Sequence, residues 1–258
     1  MGILNITPDS FSDGGQYIDV DKAVEHARKM VRDGADVIDV GGESTRPGAT
    51  PVSMEEELTR VIPVIERLSK VIDVPISIDT YKAYIAEEAV KAGATMINDV
   101  WAGKKDPDML RIMAESNVPI ILMHNPMPKI KNECINNTIN KISTELQERV
   151  DLALSAGVKK EHIIIDPGIG FGKTLEQNIE LIKNIHQLKI LGYPILLAAS
   201  KKRTIRGLAN TVDPYLLGIG TIATTCHAYI KGIDYVRVHD VKENKTAINV
   251  MRGLKEGD

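Results

Sequence analysis

Eight short apolar runs in this chain each end in groups able to do chemistry: Asn5, Asp39, Asp79, Asn98, His124, Asp166, Ser200 with Lys202, and Arg237 with His239. Carboxylates accept hydrogen bonds from ring N–H groups, amides do both, and Lys and Arg donate to carbonyls or to anionic oxygens. Polar residues open many loops because Asp and Asn cap helices, and Asp39 suits such a structural role. Capping does not account for acids, amides and cations pooled together. Arg46, Lys202, Arg203, Arg237 and His239 all fall at strand ends or in the loops after them. Any one alone reads as a solvated loop charge. Five together suit phosphate or carboxylate oxygens, with Arg as a rigid fork and Lys as a movable point charge. The set implies an anionic, hydrogen-bonding and phosphorylated small-molecule substrate.

Several familiar motifs fail on inspection. Gly168-Ile169-Gly170-Phe171-Gly172-Lys173-Thr174 resembles a phosphate loop, but Pro167 stands where its first Gly belongs. Read as a dinucleotide fingerprint, the same run has Lys173 in place of the last Gly. Gly42-Glu43-Ser44-Thr45 is not a nucleophile elbow. The six His residues show no zinc-type spacing, which argues against a protein-held zinc site.

The elements that must position these groups alternate from end to end. The apolar runs are Ile3-Leu4, Val37–Val40, Ile76–Asp79, Met96–Asn98, Ile120–Met123, Ile163–Asp166, Ile195–Ala198 and Tyr235–Val238. Segments of helical period separate most of them. The spacing predicts helices over Asp21–Asp33 and Tyr81–Ala92, stopped by Gly34 and Gly93, and a helix with Pro107 near its first turn. A long helix carries Ile139, Ile142, Leu146 and Val150, and a last one runs to about Leu254. Capping boxes at Ser53/Glu56 and Thr174/Gln177 predict two further starts, the second helix carrying Leu181, Ile182, Ile185 and Leu188 inward. Eight such units without a glycine-rich dinucleotide turn predict an α/β fold, a single (β/α)8 TIM barrel, over a doubly wound sheet. The 258 residues then form one domain, 1–258, with the strand-end groups on one rim.

Composition narrows the partners. Lys plus Arg is 32 and Asp plus Glu 35, a net charge of −3, and aromatic residues are 4%. That leaves neither a global field for a polyanion nor many stacking platforms, so nucleic acid is excluded. Cys134 and Cys226 lie in no paired pattern, which fits a reduced compartment. No run approaches the roughly 20 apolar residues of a membrane span, and the N-terminus does not read as a signal peptide. The expectation is a cytoplasmic enzyme with no membrane partner.

Met1–Gly15, with its Asn5-Ile6-Thr7-Pro8-Asp9-Ser10-Phe11-Ser12-Asp13 core, resembles the dihydropteroate synthase family. So do Gly41–Gly48, Ile78-Asp79-Thr80, Ile97-Asn98-Asp99, Leu122-Met123-His124, Asp166–Phe171, Ser200–Arg203 and Arg237–Asp240, in order along nearly the whole chain. The resemblance implies a transferase of folate biosynthesis. It would join p-aminobenzoate to 6-hydroxymethyl-7,8-dihydropterin diphosphate, releasing pyrophosphate, with Mg2+ as cofactor and sulfonamides as competitors. It further implies that Asp79, Asn98, Asp166 and Lys202 hold the pterin edge while Met123 and Arg237 flank its faces. Asn5, Thr45, Arg46, Arg237 and His239 would hold the diphosphate, with Asn5 also on Mg2+. Phe11, Pro47 and Phe171 would enclose p-aminobenzoate. Asp79, Asp166, Lys202 and Arg237 are the implied catalytic set, and relatives of this type imply a homodimer through barrel helices.

One departure concerns Arg203, which stands where the family commonly has a Ser facing the p-aminobenzoate carboxylate. It either pairs with that carboxylate or points to solvent. The nearest alternative is a pterin- or folate-dependent methyltransferase barrel, against which the Thr7–Gly15 loop and the Ser200-Lys201-Lys202 element argue. A pterin-binding scaffold without catalysis would have no use for Asn5, Arg46, Lys202 and His239.

Overall fold

The computed structural model describes residues 1–6, 16–44, 50–126 and 138–255, residues 16–19 by backbone alone. Strand and helix alternate: β1 Gly2–Asn5, α1 Gln16–Arg32, β2 Ile38–Gly41, α2 Met54–Leu68, β3 Ile76–Asp79, α3 Ala83–Lys91, β4 Met96–Asp99 and α4 Met109–Ser116. Then come β5 Ile120–Met123, α5 Thr138–Ser155, β6 Ile163–Asp166, α6 Leu175–Lys183, β7 Leu196–Leu197, α7 Arg203–Ala209, α8 Pro214–Ile230, β8 Tyr235–Val236 and α9 Val241–Lys255.

Strands β1 to β6 form one parallel sheet in chain order, and β7 pairs parallel with β8. Single parallel bridges join the two sheets at both edges, Ile165 to Ile195 and Gly2 to Val238. Ile165 N donates to Pro194 O at 2.9 Å, and Ile3 N to Val238 O at 3.1 Å. The eight strands therefore follow one another around a (β/α)8 barrel whose last two staves are short and joined by bridges instead of full ladders.

Successive strand residues point to opposite faces. Val40, Ile78, Ile97, Ile120, Leu122, Ile163 and Ile165 turn outward into one core shared with the helices, including Val61, Ile65 and Leu68 of α2. A separate small cluster of Met1, Val37, Met96, Ile121, Ile164 and Leu196 fills the inside of the barrel, with Tyr235 against it. The other inward positions include Asn5, Asp39, Ser77, Asp79, Asn98 and Asp166, most of them toward the carboxyl ends of the strands, with Met123 among them.

Most predicted elements are present, and the differences have local causes. Helix α3 begins at Ala83 because Tyr81 and Lys82 turn their side chains to Glu43. At α2 the capping box is half made: Ser53 Oγ accepts from Glu56 N at 3.1 Å, but the Glu56 carboxylate goes to Arg60. At α6 it is complete, with Thr174 Oγ1 accepting from Gln177 N and Gln177 Oε1 from Thr174 N. Helix α6 stops at Lys183, so Ile185 and Leu188 reach the core from a 3₁₀ turn instead. Between β7 and β8 the chain forms two helices. Pro214 occupies the first turn of the second, where its missing N–H costs nothing.

Candidate active site

Because β3 and β4 are paired with Asp79 opposite Asn98, both side chains leave the sheet in one row at the carboxyl end. In the same way β5 and β6 place Met123 opposite Asp166, and β1 places Asn5 opposite Gly41, itself opposite Asp79. Between β4 and β5 the register steps, Asn98 lying opposite Ile121, so Met123 and Asp166 stand two residues further along the barrel mouth while Asn5, Asp79 and Asn98 share one level. Asp79, Asn98, Met123 and Asp166 are all buried, and Asn5 is half-buried.

Arg237, just after β8, reaches across this level. Its Nε donates to Asp39 Oδ2 at 2.5 Å and its Nη2 to Asp79 Oδ2 at 2.6 Å. Asn98 Nδ2 donates to the same Asp39 oxygen at 3.2 Å. Asp39 is therefore not at a strand end, since β2 runs on to Gly41. It is the fully buried post on which Arg237 and Asn98 are both tied, a structural role, but not the loop-opening cap that its sequence position suggested. Burying an acid is favourable only when it is paired and hydrogen-bonded, and Asp39 is both.

The electrostatics follow from this burial. The Asp79 carboxyl is pushed up to about 7 by desolvation, held back by Arg237 and pushed further by the charge of Asp39. Burial also raises Asp166, with Lys202 and the Gly168 N–H opposing. Lys202 is lowered to about 8 by burial, against the attraction of Asp166. Burial works against the charge of Arg237 too, but Asp39 and Asp79 more than reverse that and hold it protonated. One oxygen of Asp79, Oδ1, is buried without a partner among the described residues. A buried carboxylate oxygen left open in this way is a ready acceptor for a ligand N–H.

On the far side, Lys202 Nζ donates to Ile169 O at 2.9 Å and stands 4.9 Å from the centroid of the Phe171 ring. Lys202 caps the start of α7, so Arg203 is its first residue and is exposed to solvent. His239 is placed by Ser200, whose Oγ lies 2.8 Å from its Nδ1 and also accepts the His239 N–H at 3.2 Å. Neighbouring Lys201 turns away to Asp240 at 2.8 Å. Thr45, Arg46, Pro47 and Phe11 lie outside the described residues.

For a metal, no group of three or more His, Cys, Asp or Glu converges among the described residues. The hard oxygen donor at the expected place is the Asn5 amide at the end of β1. One amide oxygen fits Mg2+, which keeps water and takes phosphate oxygens from its substrate in preference to an all-protein cage.

Two features were not anticipated from the residues. Lys82 Nζ bonds Glu43 at 2.7 Å, the buried Glu57 at 2.5 Å and Val52 O at 2.7 Å, fastening the stem of the β2–α2 loop. His124 does not join the Asp79 group: its ring, neutral because burial depresses its pKa to about 2, pairs at Nε2 with Glu145 of α5 at 2.9 Å. The buried acid Asp39 inside an apolar run was a visible signal. The Lys82 cluster joins residues far apart in the chain and left none.

The profile of the pterin-binding enzyme family matches residues 1–239. Dihydropteroate synthase of Clostridium beijerinckii is 53% identical over 248 residues, 96% of this chain and 90% of that protein. That of Bacillus subtilis is 54% identical over 243 residues, 94% of this chain and 84% of the other. Among solved structures, a Clostridium difficile dihydropteroate synthase crystallised with pteroic acid superposes with a TM-score of 0.93 at 49% identity, covering 98% of this chain and 95% of its own. A Xanthomonas albilineans dihydropteroate synthase in complex with 7,8-dihydropteroate gives 0.89 at 40%, covering 99% and 92%. The chain belongs to the dihydropteroate synthase family of pterin-binding enzymes.

Proposed function

We propose that residues 1–258 act as one unit that joins p-aminobenzoate to 6-hydroxymethyl-7,8-dihydropterin diphosphate, forming 7,8-dihydropteroate and pyrophosphate. The observation that carries this reading is the group of buried Asp79, Asn98 and Asp166 with half-buried Lys202 around Arg237, one Asp79 oxygen being open. A pterin edge is an amino-pyrimidinone: Asp79 and Asp166 accept from its N–H groups, Asn98 does both, and Lys202 donates to its carbonyl or ring nitrogen. Met123 and Arg237 flank the ring faces, since a polarizable sulfur and a planar cation both suit a π-system.

The amine of p-aminobenzoate attacks the pterin methylene carbon. The bond from that carbon to the diphosphate oxygen breaks, its electron pair leaves with pyrophosphate, and the ammonium proton passes to solvent. An aromatic amine is already neutral near pH 7, so the site needs no strong base. The electron-rich dihydropterin shares the positive charge that develops, and Asp79 and Asp166 stabilise it from beneath. Asn5, Thr45, Arg46, Arg237 and His239 hold the diphosphate, and Phe11, Pro47, Phe171 and Arg203 surround p-aminobenzoate. Asn5 would hold Mg2+, which when bound would supply charge neutralisation for the leaving group. No helix among the described residues is long and apolar enough to cross a membrane. A cytoplasmic homodimer is the setting we assign.

Mixing the protein with the pterin diphosphate, p-aminobenzoate and Mg2+ and following pyrophosphate tests the reading. Release should require p-aminobenzoate and Mg2+ and be blocked by a sulfonamide. Pterin binding without pyrophosphate release would favour a scaffold, and methyl transfer would favour the methyltransferase alternative.

A further inference from the structure

The run from Gly168 to Lys173 resembles a phosphate loop, and the fold shows what its lysine does instead. Lys173 Nζ donates to the carbonyls of Gly168 at 2.9 Å, Phe171 at 3.1 Å and His124 at 3.3 Å. An ammonium has three donors, so all three are spent on backbone and none is left for a phosphate. Among the described residues it forms no ion pair. Burial lowers its pKa to about 7, with Asp166 and Glu145 opposing, and Lys202 and Lys104 adding to the depression.

Keeping a cation in so unfavourable a place calls for a reason, and the three carbonyls supply it. His124 directly follows β5, while Gly168 and Phe171 belong to the loop after β6, so the ammonium braces that loop against the end of the neighbouring strand. The loop packs tightly there: Gly168 has φ +69°, and a Cβ on it would lie 2.0 Å from His124 O. The braced stretch presents the Phe171 ring and the Ile169 carbonyl, the two groups against which Lys202 rests.

We propose that Lys173 is a positioning residue for the p-aminobenzoate subsite, holding the loop after β6 so that Phe171 keeps its place. This rests on the role given above to Phe171. The pterin side has independent support. Asp166 is fixed by the β5–β6 ladder and by Gly168 N at 2.7 Å. The Ile169–Gly170 segment keeps a second anchor, Gly170 N to Asn178 Oδ1 at 2.7 Å. Phe171 depends most on the brace.

Lys173→Met removes the donors and keeps the bulk. It should raise KM for p-aminobenzoate about tenfold or more while KM for the pterin diphosphate and kcat stay within about threefold. Lys173→Gln, which keeps two N–H donors, should recover part of the loss. A folded Lys173→Met enzyme with both KM values unchanged overturns the proposal, as does an equal loss in both KM values and kcat. If Lys173→Met does not fold, the same split is read from Lys173→Gln and Lys173→Arg. Failure of all three to fold assigns the residue to stability alone and also overturns it. Wild-type pyrophosphate release, measured first, shows separately whether the underlying activity is right.

Discussion

Asp39 touches no substrate in this reading, yet Asp39→Asn should alter both stability and the pH profile. The amide keeps an oxygen where Oδ2 accepts from Arg237 Nε at 2.5 Å and from Asn98 at 3.2 Å, so geometry survives and charge is lost. The Asn98 bond falls from about 1.5–3 kcal/mol with a charged acceptor to about 0.5–1.5 with a neutral one, and Arg237 loses one of its two anions, so the substitution costs at least about 1–1.5 kcal/mol. In a chain of 258 residues that lowers Tm by about 2–6 °C. The second effect has a definite sign. Asp39 pushes the Asp79 carboxyl upward and Arg237 holds it down. Removing the first and leaving the second lets Asp79 ionise at lower pH. If ionised Asp79 is what accepts the pterin N–H, the acid limb of kcat/KM for the pterin diphosphate moves below its wild-type position near 7. Pyrophosphate release at saturating p-aminobenzoate across about pH 5 to 9, with thermal denaturation alongside, reads both. An acid limb that stays put or moves upward would refute the charge coupling between Asp39 and Asp79.

The wild-type kcat/KM for the pterin diphosphate should be bell-shaped, rising as Asp79 loses its proton near 7 and falling as Lys202 loses its own near 8. A flat profile across that window would count against both assignments. Asp79→Ala and Lys202→Ala should each cut pyrophosphate release by about 10²-fold or more, the scale of losing one electrostatic stabiliser. Both should still fold, because Arg237 keeps Asp39 and circular dichroism and Tm report it; a near-normal rate would sink the assignment. Gly168→Ala should lower stability by about 3 kcal/mol, since the methyl meets a backbone carbonyl that cannot swing away. A Tm equal to wild type would show that the loop has more room than its geometry indicates.

The strands that carry chemistry were the most legible part of the chain. Ile76–Asp79, Ile120–Met123 and Ile163–Asp166 coincide with β3, β5 and β6, because a short isoleucine-rich run ending in a polar residue has few other uses. The acids, amide and lysine of the site were read from the same ends. Partnership was not legible. Nothing local says that Arg237 will divide itself between Asp39 and Asp79, or that Lys82 will collect Glu43, Glu57 and Val52, since those partners come from other units of the barrel. The role of Lys173 was hidden for a related reason: the phosphate-loop reading fails at Pro167, but nothing local says that the lysine will face three carbonyls instead. The 3₁₀ ending of α6 and the two helices after β7 were missed because apolar period does not distinguish a helix from a tight turn feeding the same core.

The alternation along each strand has a consequence for how such a protein can change. In β3, Ile78 belongs to the core beneath the helices while its neighbour Asp79 belongs to the mouth; in β4, Ile97 and Asn98 divide in the same way. Substitutions at the outward set are constrained by volume and those at the inward set by charge and hydrogen bonding, so the two can drift under separate pressures on the same four residues. A one-residue insertion would be different in kind. It would exchange the two sets, turning an acid into the hydrocarbon core and an isoleucine toward the ligand, and so fail on both counts at once. Strand length is therefore the least negotiable quantity in the molecule, ahead of the identity of any single side chain it carries.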